Sequence, residues 1–251
     1  MIKKIASAAI IFMASTSLIF AATVSICTDT NIWYPFTFVK DGQSSGLHVD
    51  IVTRALQDLG YEVKFEPMPW KQCLKQVELG KVDGVVSASY KDERAEFMVY
   101  PEDAKTVKKS RWSISVVEYV IVTMNNDPYT FEGDVKTLPQ PVRAPNGYSV
   151  IDDLKKEGVE VDAAQGDENN FKKMLRDKKG VVVTIPEVAK IFNKKYKDQF
   201  KTHEQPIQSK SYYFTISKKS ALSDADKSRI WDQIAKIRDN DEVMEQFLSK
   251  Y

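Results

Sequence analysis

The stretch Trp70–Arg94, WKQCLKQVELGKVDGVVSASYKDER, decides how the rest of the chain is read. Trp70 to Leu79 has the spacing of an amphipathic helix, and Gly80 is a suitable stop. VDGVV is apolar enough to be a buried strand. It runs straight into Ser87, Ser89 and Arg94, where strands usually end in Gly, Asn or Pro. A strand end carrying two hydroxyls and one guanidinium is arranged to hold something negative.

Upstream, TVSICTD is a short β-rich run. GLHVDIVTRALQDLGY places Ile51, Val52, Ala55, Leu56 and Leu59 at helical spacing before Gly60, and EVKFEPM alternates as a strand does. Downstream, SISVVEYVIVTM is a long apolar strand-like run and QPVRAP is short and extended. YSVIDDLKKEG reads as a helix with Ser149 as N-cap and Asp152 as its capping-box partner. DENNFKKMLRDKKG is a helix, VVVTI a buried strand, and PEVAKIFNKKY a helix opened by Pro186. SYYFTISKKS is a strand, and helices close the chain. Strands alternating with helices of this length predict an α/β fold with a mostly parallel sheet. In such sheets ligands sit beyond the carboxyl ends of the strands, where Ser87, Ser89 and Arg94 fall.

Residues 1–22, MIKKIASAAIIFMASTSLIFAA, read as a cleaved secretory signal peptide: Lys3 and Lys4, an apolar stretch, then small residues. Ile26 before Cys27 argues against a lipid anchor, and no later segment is apolar for the ~20 residues of a membrane span. The mature chain is therefore expected in an oxidising, periplasmic space. Of 36 basic and 35 acidic residues, removing Lys3 and Lys4 leaves 34 and 35. That balance argues against a nucleic-acid partner. His48 and His203 lack metal-ligand spacing, and no metal or cofactor is expected. Two cysteines in an oxidising compartment, Cys27 and Cys73, suggest a disulfide.

The chain resembles extracytoplasmic solute-binding proteins of family 3, the polar amino-acid uptake type with the type II periplasmic binding fold. The stretches that carry the resemblance are TDTNIWYPFTF with DGQSSGLHVDIV, then LGYEVKFEPMPWKQCLKQVELGKVDGVVSASYKDERAEFMVYP, PNGYSVIDDLKKEG and KKGVVVTIPEVAKIF. The second is the most specific, with its S-x-S-x-x-x-x-R turn. The resemblance implies two lobes, 23–116 with 212–251 and 117–211, joined by strands crossing near Ser115–Tyr119 and Gln208–Tyr212. It places the carboxylate-binding arginine on Arg94, its hydroxyl partners on Ser87 and Ser89, and the flanking rings on Trp33 and Trp70. The second-lobe contact falls on Ser149, beside Gly147 and Tyr148.

Thr184 stands where amino-acid binders of this family place an acid for the ligand's α-ammonium, and Lys91 replaces the threonine usual three before the arginine. A carboxylate ligand is therefore better supported than an α-amino acid, with Asp29 or Glu118 as candidates for the missing charge. The implied function is binding of a small carboxylate-bearing solute by a monomer, for delivery to a membrane ABC permease. The alternatives are a periplasmic enzyme of the cyclohexadienyl-dehydratase type and a ligand sensor docking on a receptor. An enzyme needs a carboxylate or histidine in the cleft. The mapped positions are Ser, Thr, Trp and Arg, which suit binding.

Overall fold

A computed structural model describes residues 21–251; the expected signal peptide lies almost wholly outside them. In chain order the elements are β1 (Thr23–Asp29), β2 (Phe38–Lys40), β3 (Gln43–Ser45), α1 (Leu47–Asp58), β4 (Glu62–Met68), α2 (Trp70–Leu79), β5 (Gly84–Ser89), α3 (Asp92–Ala95), β6 (Met98–Val99) and β7 (Ser115–Met124). There follow β8 (Val142–Arg143), α4 (Ser149–Lys156), α5 (Gly166–Asp177), β9 (Val181–Thr184), α6 (Pro186–Lys195), β10 (Phe200–Thr202), β11 (Gln208–Ser217), α7 (Asp224–Arg238) and α8 (Asp241–Leu248). Among these residues no helix is long and apolar enough to cross a membrane.

The main sheet runs β4-β1-β5-β11-β7-β9-β8. β1 pairs in parallel with β4 and β5, and β8 pairs in parallel with β9. β11 and β7 are antiparallel to their neighbours and to each other, and join the two halves into the expected two-lobed type II periplasmic binding fold. Their pairing runs from Gln208 opposite Tyr119 to Tyr212 opposite Ser115, the two segments read as crossings. All six residues of β5 are buried, so its polar end at Ser87 and Ser89 is enclosed rather than solvated. Gly84 starts that strand because a Cβ there would strike the Thr215 carbonyl of β11.

The first lobe has a core on each sheet face. Ile51, Val52, Ala55 and Leu56 of α1 pack with Ile230 and Ile234 of α7 on one side. On the other, Val77 of α2 packs with Val85 and Tyr213 around the Cys27–Cys73 disulfide, whose Cα atoms are 5.6 Å apart. In the other lobe Val181–Val183 of β9, Phe171 and Met174 of α5, and Phe192 of α6 pack together, continuous with the α1 side of the first.

Candidate functional site

The carboxyl ends of β1 and β5 and the N-termini of α2 and α4 converge on one cavity between the lobes. It is lined by Asp29, Trp33, Trp70, Ser87, Ser89, Arg94, Tyr148 and Ser149, together with Thr37, Val86 and Tyr212, and its volume is about 30 Å³. Every residue predicted for the site is in that lining except Thr184.

Arg94 follows from β5 through the single-turn α3 and folds back over the strand end, 4% exposed. Its Nη1 donates to the Ser89 carbonyl at 3.0 Å and to Ser89 Oγ at 3.3 Å, and its Nη2 donates to the Gly147 carbonyl at 3.0 Å. The guanidinium carbon lies 5.1 Å from the Trp70 ring centroid, a cation–π contact of about 0.5–2 kcal/mol. Trp70 Nε1 donates to the same Gly147 carbonyl at 3.0 Å. Gly147 has φ +84°, and a side chain there would press on Trp70 and Lys71, so only glycine brings its carbonyl so close to the arginine.

Ser149 departs from its expected role. The residue capping α4 is Tyr148, and Ser149 is the first helical residue with no capping bond. Its hydroxyl meets Ser89 Oγ at 2.7 Å and accepts from Lys210 Nζ at 3.0 Å. Asp152 pairs with Lys91, and Asp153 with Lys210. The helix start is turned toward the cleft: Ser149 and Asp152 reach Ser89 and Lys91 of the first lobe rather than cap their own helix, and Asp153 holds Lys210 of β11.

Of the two candidate acids, Asp29 lines the cavity, and an unexpected second acid, Asp167, stands behind it. Asp29 lies at the end of β1, where Tyr148 Oη donates to Oδ2 at 2.9 Å and the Asn31 amide donates to Oδ1 at 3.1 Å. Asn31 Nδ2 donates to Tyr148 Oη and to Asp167 Oδ2, both at 2.8 Å, and Asn31 Oδ1 accepts from the Asp167 amide at 2.9 Å. Burial pushes the Asp29 carboxyl up to about 6, against the pull of the hydrogen bonds from Asn31 and Tyr148. Burial likewise pushes Asp167 up to about 6, and the Asp29 charge adds to the rise. Glu118, the other acid considered, is exposed on β7 and only receives Ser209 Oγ at 3.4 Å. Thr184 Oγ1 lies near the Asp167 carboxyl, yet neither it nor Asp167 Oδ1 has a partner of good geometry.

Asp167 and Asn31 were not singled out from the sequence. An acid in the first turn of a helix ordinarily answers the helix dipole and stays in water. The signal was the stripe: the buried residues of α5 are Asp167, Asn170, Phe171 and Met174, so the acid occupies an apolar-stripe position. His48 was also passed over. It is fully buried behind Ser87, and burial pushes its imidazole down to about 3.

Residues 24–110 match the family model of bacterial extracellular solute-binding proteins, family 3. No curated protein matches the sequence significantly. The P235GK mutant of ArgBP from T. maritima is similar in structure, with 17% identity and a TM-score of 0.72 over 91% of this chain and 96% of its own. AbpA from Streptococcus pneumoniae, an amino acid ABC transporter substrate-binding protein bound to L-arginine, has 19% identity and a TM-score of 0.71 over 91% and 94%. A histidine kinase sensor domain with similarity to periplasmic binding proteins has 14% identity and a TM-score of 0.75 over 92% and 96%. The resemblance read from the sequence thus holds: residues 24–110 match that family, and nine tenths of the chain shares its fold with solved binding proteins.

Proposed function

We propose that this chain is a periplasmic binding protein for a small solute carrying both a carboxylate and a cationic group, an amino acid or a close relative, delivered to a membrane ABC importer. One observation carries the reading. A buried guanidinium with two hydroxyls shares one cavity with the buried Asp29 carboxyl, which has no cationic partner and has Asp167 behind it across Asn31. Arginine matches a carboxylate through two parallel hydrogen bonds, and the closed, dry surroundings strengthen them. Asp29 supplies the acid that Thr184 does not, which moves the reading from a plain carboxylate toward a zwitterion. The family match over residues 24–110 and the fold support this binding role.

Catalysis is the weaker reading, although Asp29 lines the cleft and Asp167 lies behind it. Both are engaged in hydrogen bonds that tie one lobe to the other. Ser87 has a histidine behind it, but His48 is backed by Ser115 Oγ at 2.8 Å and not by a carboxylate. An imidazole pushed down to about 3 does not accept the serine's proton at neutral pH. The likeness to a histidine kinase sensor domain favours sensing as the second reading, because sensing and transport both use a ligand-dependent lobe arrangement.

A thermal-shift screen of amino acids and small organic acids tests the proposal. A solute at a hundred times its dissociation constant adds about 2.7 kcal/mol of stability. A screen in which only compounds lacking a carboxylate stabilise the protein would overturn it. Contacts from both lobes also require that binding favour the closed form, since a ligand shifts an equilibrium only by its differential affinity. Saturation is therefore expected to lower the radius of gyration in small-angle scattering, with bending at the paired segments of β7 and β11. An unchanged curve counts against the clamp.

The acids give this binding a pH signature. Without a cation nearby, the folded-state values of Asp29 and Asp167 stand above the ordinary 3.8. Their contribution to stability is then full below about pH 4 and is lost as pH rises through about 6. A ligand ammonium beside Asp29 reverses this by favouring its ionised form, so binding releases protons. Affinity for an amino acid is expected to rise between pH 5 and 6 by up to about tenfold per proton released. Calorimetry in buffers of different ionisation enthalpy reads the proton count. Proton uptake on binding, or affinity falling over this range, rejects the ammonium assignment.

A further inference from the structure

The chain has four tryptophans, and an indole N–H can only donate. Three of them have acceptors. Trp70 Nε1 donates to the Gly147 carbonyl at 3.0 Å, Trp112 Nε1 to Asp232 Oδ1 at 2.8 Å, and Trp231 Nε1 to the Phe214 carbonyl at 2.8 Å. Trp33 is the exception. Its Nε1 is buried and, among the described residues, has no hydrogen-bond partner. Six other buried side-chain atoms share that condition, yet none of their residues lines the cavity between the lobes, and Trp33 does.

The indole is held where it is. The Trp33 amide donates to the Thr37 carbonyl and the Thr37 amide to the Trp33 carbonyl, both at 2.9 Å, which pins the backbone. Phe36 and Tyr212 lean on the ring at centroid distances of 5.1 and 4.6 Å, and His48 meets it edge-on at 5.7 Å. His48 in turn lies 3.0 Å from Ser87 Oγ, and Tyr212 pairs opposite Ser89 in the sheet. The ring therefore stands on the side of the cavity that carries the two hydroxyls. Leaving a buried donor unpaired costs more than an average hydrogen bond contributes, so an acceptor brought by a solute recovers a desolvation cost the fold already bears.

We propose that Trp33 is a hydrogen-bond donor to the solute, and that its Nε1–H selects solutes that place an oxygen against this wall. The resemblance gives Trp33 only a flanking face; here its N–H discriminates as well. A solute that turns a hydrocarbon or cationic group toward it strands the donor, and a site built to pair a polar group rejects such solutes strongly. Asp29 accepts and Trp33 donates, so together they orient a zwitterion, ammonium to the one and oxygen to the other. The inference rests on the reading that a solute occupies this cavity.

Proton–nitrogen correlation spectra of the ¹⁵N-labelled protein show one indole peak per tryptophan, and Trp33→Phe identifies the peak of Trp33 by its loss. In the protein alone that proton is expected upfield of the three bonded ones. A peak as far downfield as theirs means a partner within the protein and overturns the proposal. Titration with glycine is expected to move the Trp33 peak downfield and to leave those of Trp112 and Trp231, which do not line the cavity, in place. L-Glutamine distinguishes the acceptor: movement with both solutes assigns a carboxylate oxygen, and movement with glutamine alone assigns a side-chain oxygen. A solute that stabilises the protein without moving the Trp33 peak overturns the proposal and places the N–H against the face of a neighbouring ring. Trp33→Phe keeps an aromatic face and deletes no hydrogen bond of that indole within the protein. It is expected to weaken glycine binding by about ten- to a hundredfold, the worth of one hydrogen bond to a charged acceptor. Unchanged affinity in a folded Trp33→Phe protein overturns the proposal as well. If neither glycine nor glutamine stabilises the protein, the amino-acid reading is what fails, and the peak position in the protein alone still decides whether Trp33 holds an unpaired donor.

Discussion

Arg94→Ala is expected to remove useful binding while leaving the protein folded. Truncating one partner of a desolvated charge pair strands the other, at about 2–5 kcal/mol. That is roughly a thirty- to several-thousand-fold loss of affinity. The fold survives because the carbonyls that Arg94 serves have second donors. Ser89 O also accepts from Tyr100 Oη at 3.0 Å, and Gly147 O also accepts from Trp70 Nε1. Arg94→Lys is expected to fall between, keeping the charge but not the planar fork. Calorimetry with the best amino acid from the screen reads all three proteins. Equal affinity in Arg94→Ala would mean that the anchor lies elsewhere, and loss of the cooperative melt would mean that Arg94 holds the fold as well.

How much of this was legible in the sequence follows from what local pattern encodes. The VDGVV strand and its Ser87, Ser89 and Arg94 ending were readable, because burial and a polar terminus sit within one short stretch. The crossing segments followed from the family resemblance rather than from local pattern, since β11 opens with the polar run Gln208–Ser211. Ser149 was misread as a cap because a serine before an apolar helix is nearly always one. Only the folded chain, which brings Ser89 from the opposite lobe and Lys210 from β11, shows why its hydroxyl turns away. The Asp29–Tyr148–Asn31–Asp167 network was out of reach, since Asn31 and Asp167 come from different lobes and only the folded chain sets them 2.8 Å apart. Asp29 was already a candidate for the cleft, and with Asp167 behind it the case for binding rests on what these acids touch. His48 was considered only as a metal ligand, and its actual neighbours are two serines that no spacing rule connects.

Opening the Cys27–Cys73 bridge is expected to cost more stability than any single substitution on the protein's surface. In the chain-entropy account, a cross-link spanning 46 residues removes about 4 kcal/mol of freedom from the unfolded chain. The span encloses β2, β3, α1 and β4, so most of the first lobe's early elements lie inside the loop. Both half-cystines are fully buried beneath Val77, Val85 and Tyr213, and their replacement by alanine also leaves a gap in that core. The bridge lies directly under the cleft. Asp29 is two residues beyond Cys27 on β1, and Trp70 is three residues before Cys73 at the start of α2, so the same link sets the distance between an acid and a ring of the site. Cys27→Ala with Cys73→Ala is therefore expected to lower the denaturation midpoint markedly and to weaken amino-acid binding together. Reductant is expected to lower the midpoint of the parent protein and to leave the double variant unmoved. Thiol titration of the unreduced, denatured protein should find no free thiol. A midpoint insensitive to reductant, or two titratable thiols in protein taken from an oxidising compartment, would show that the lobe stands without the link.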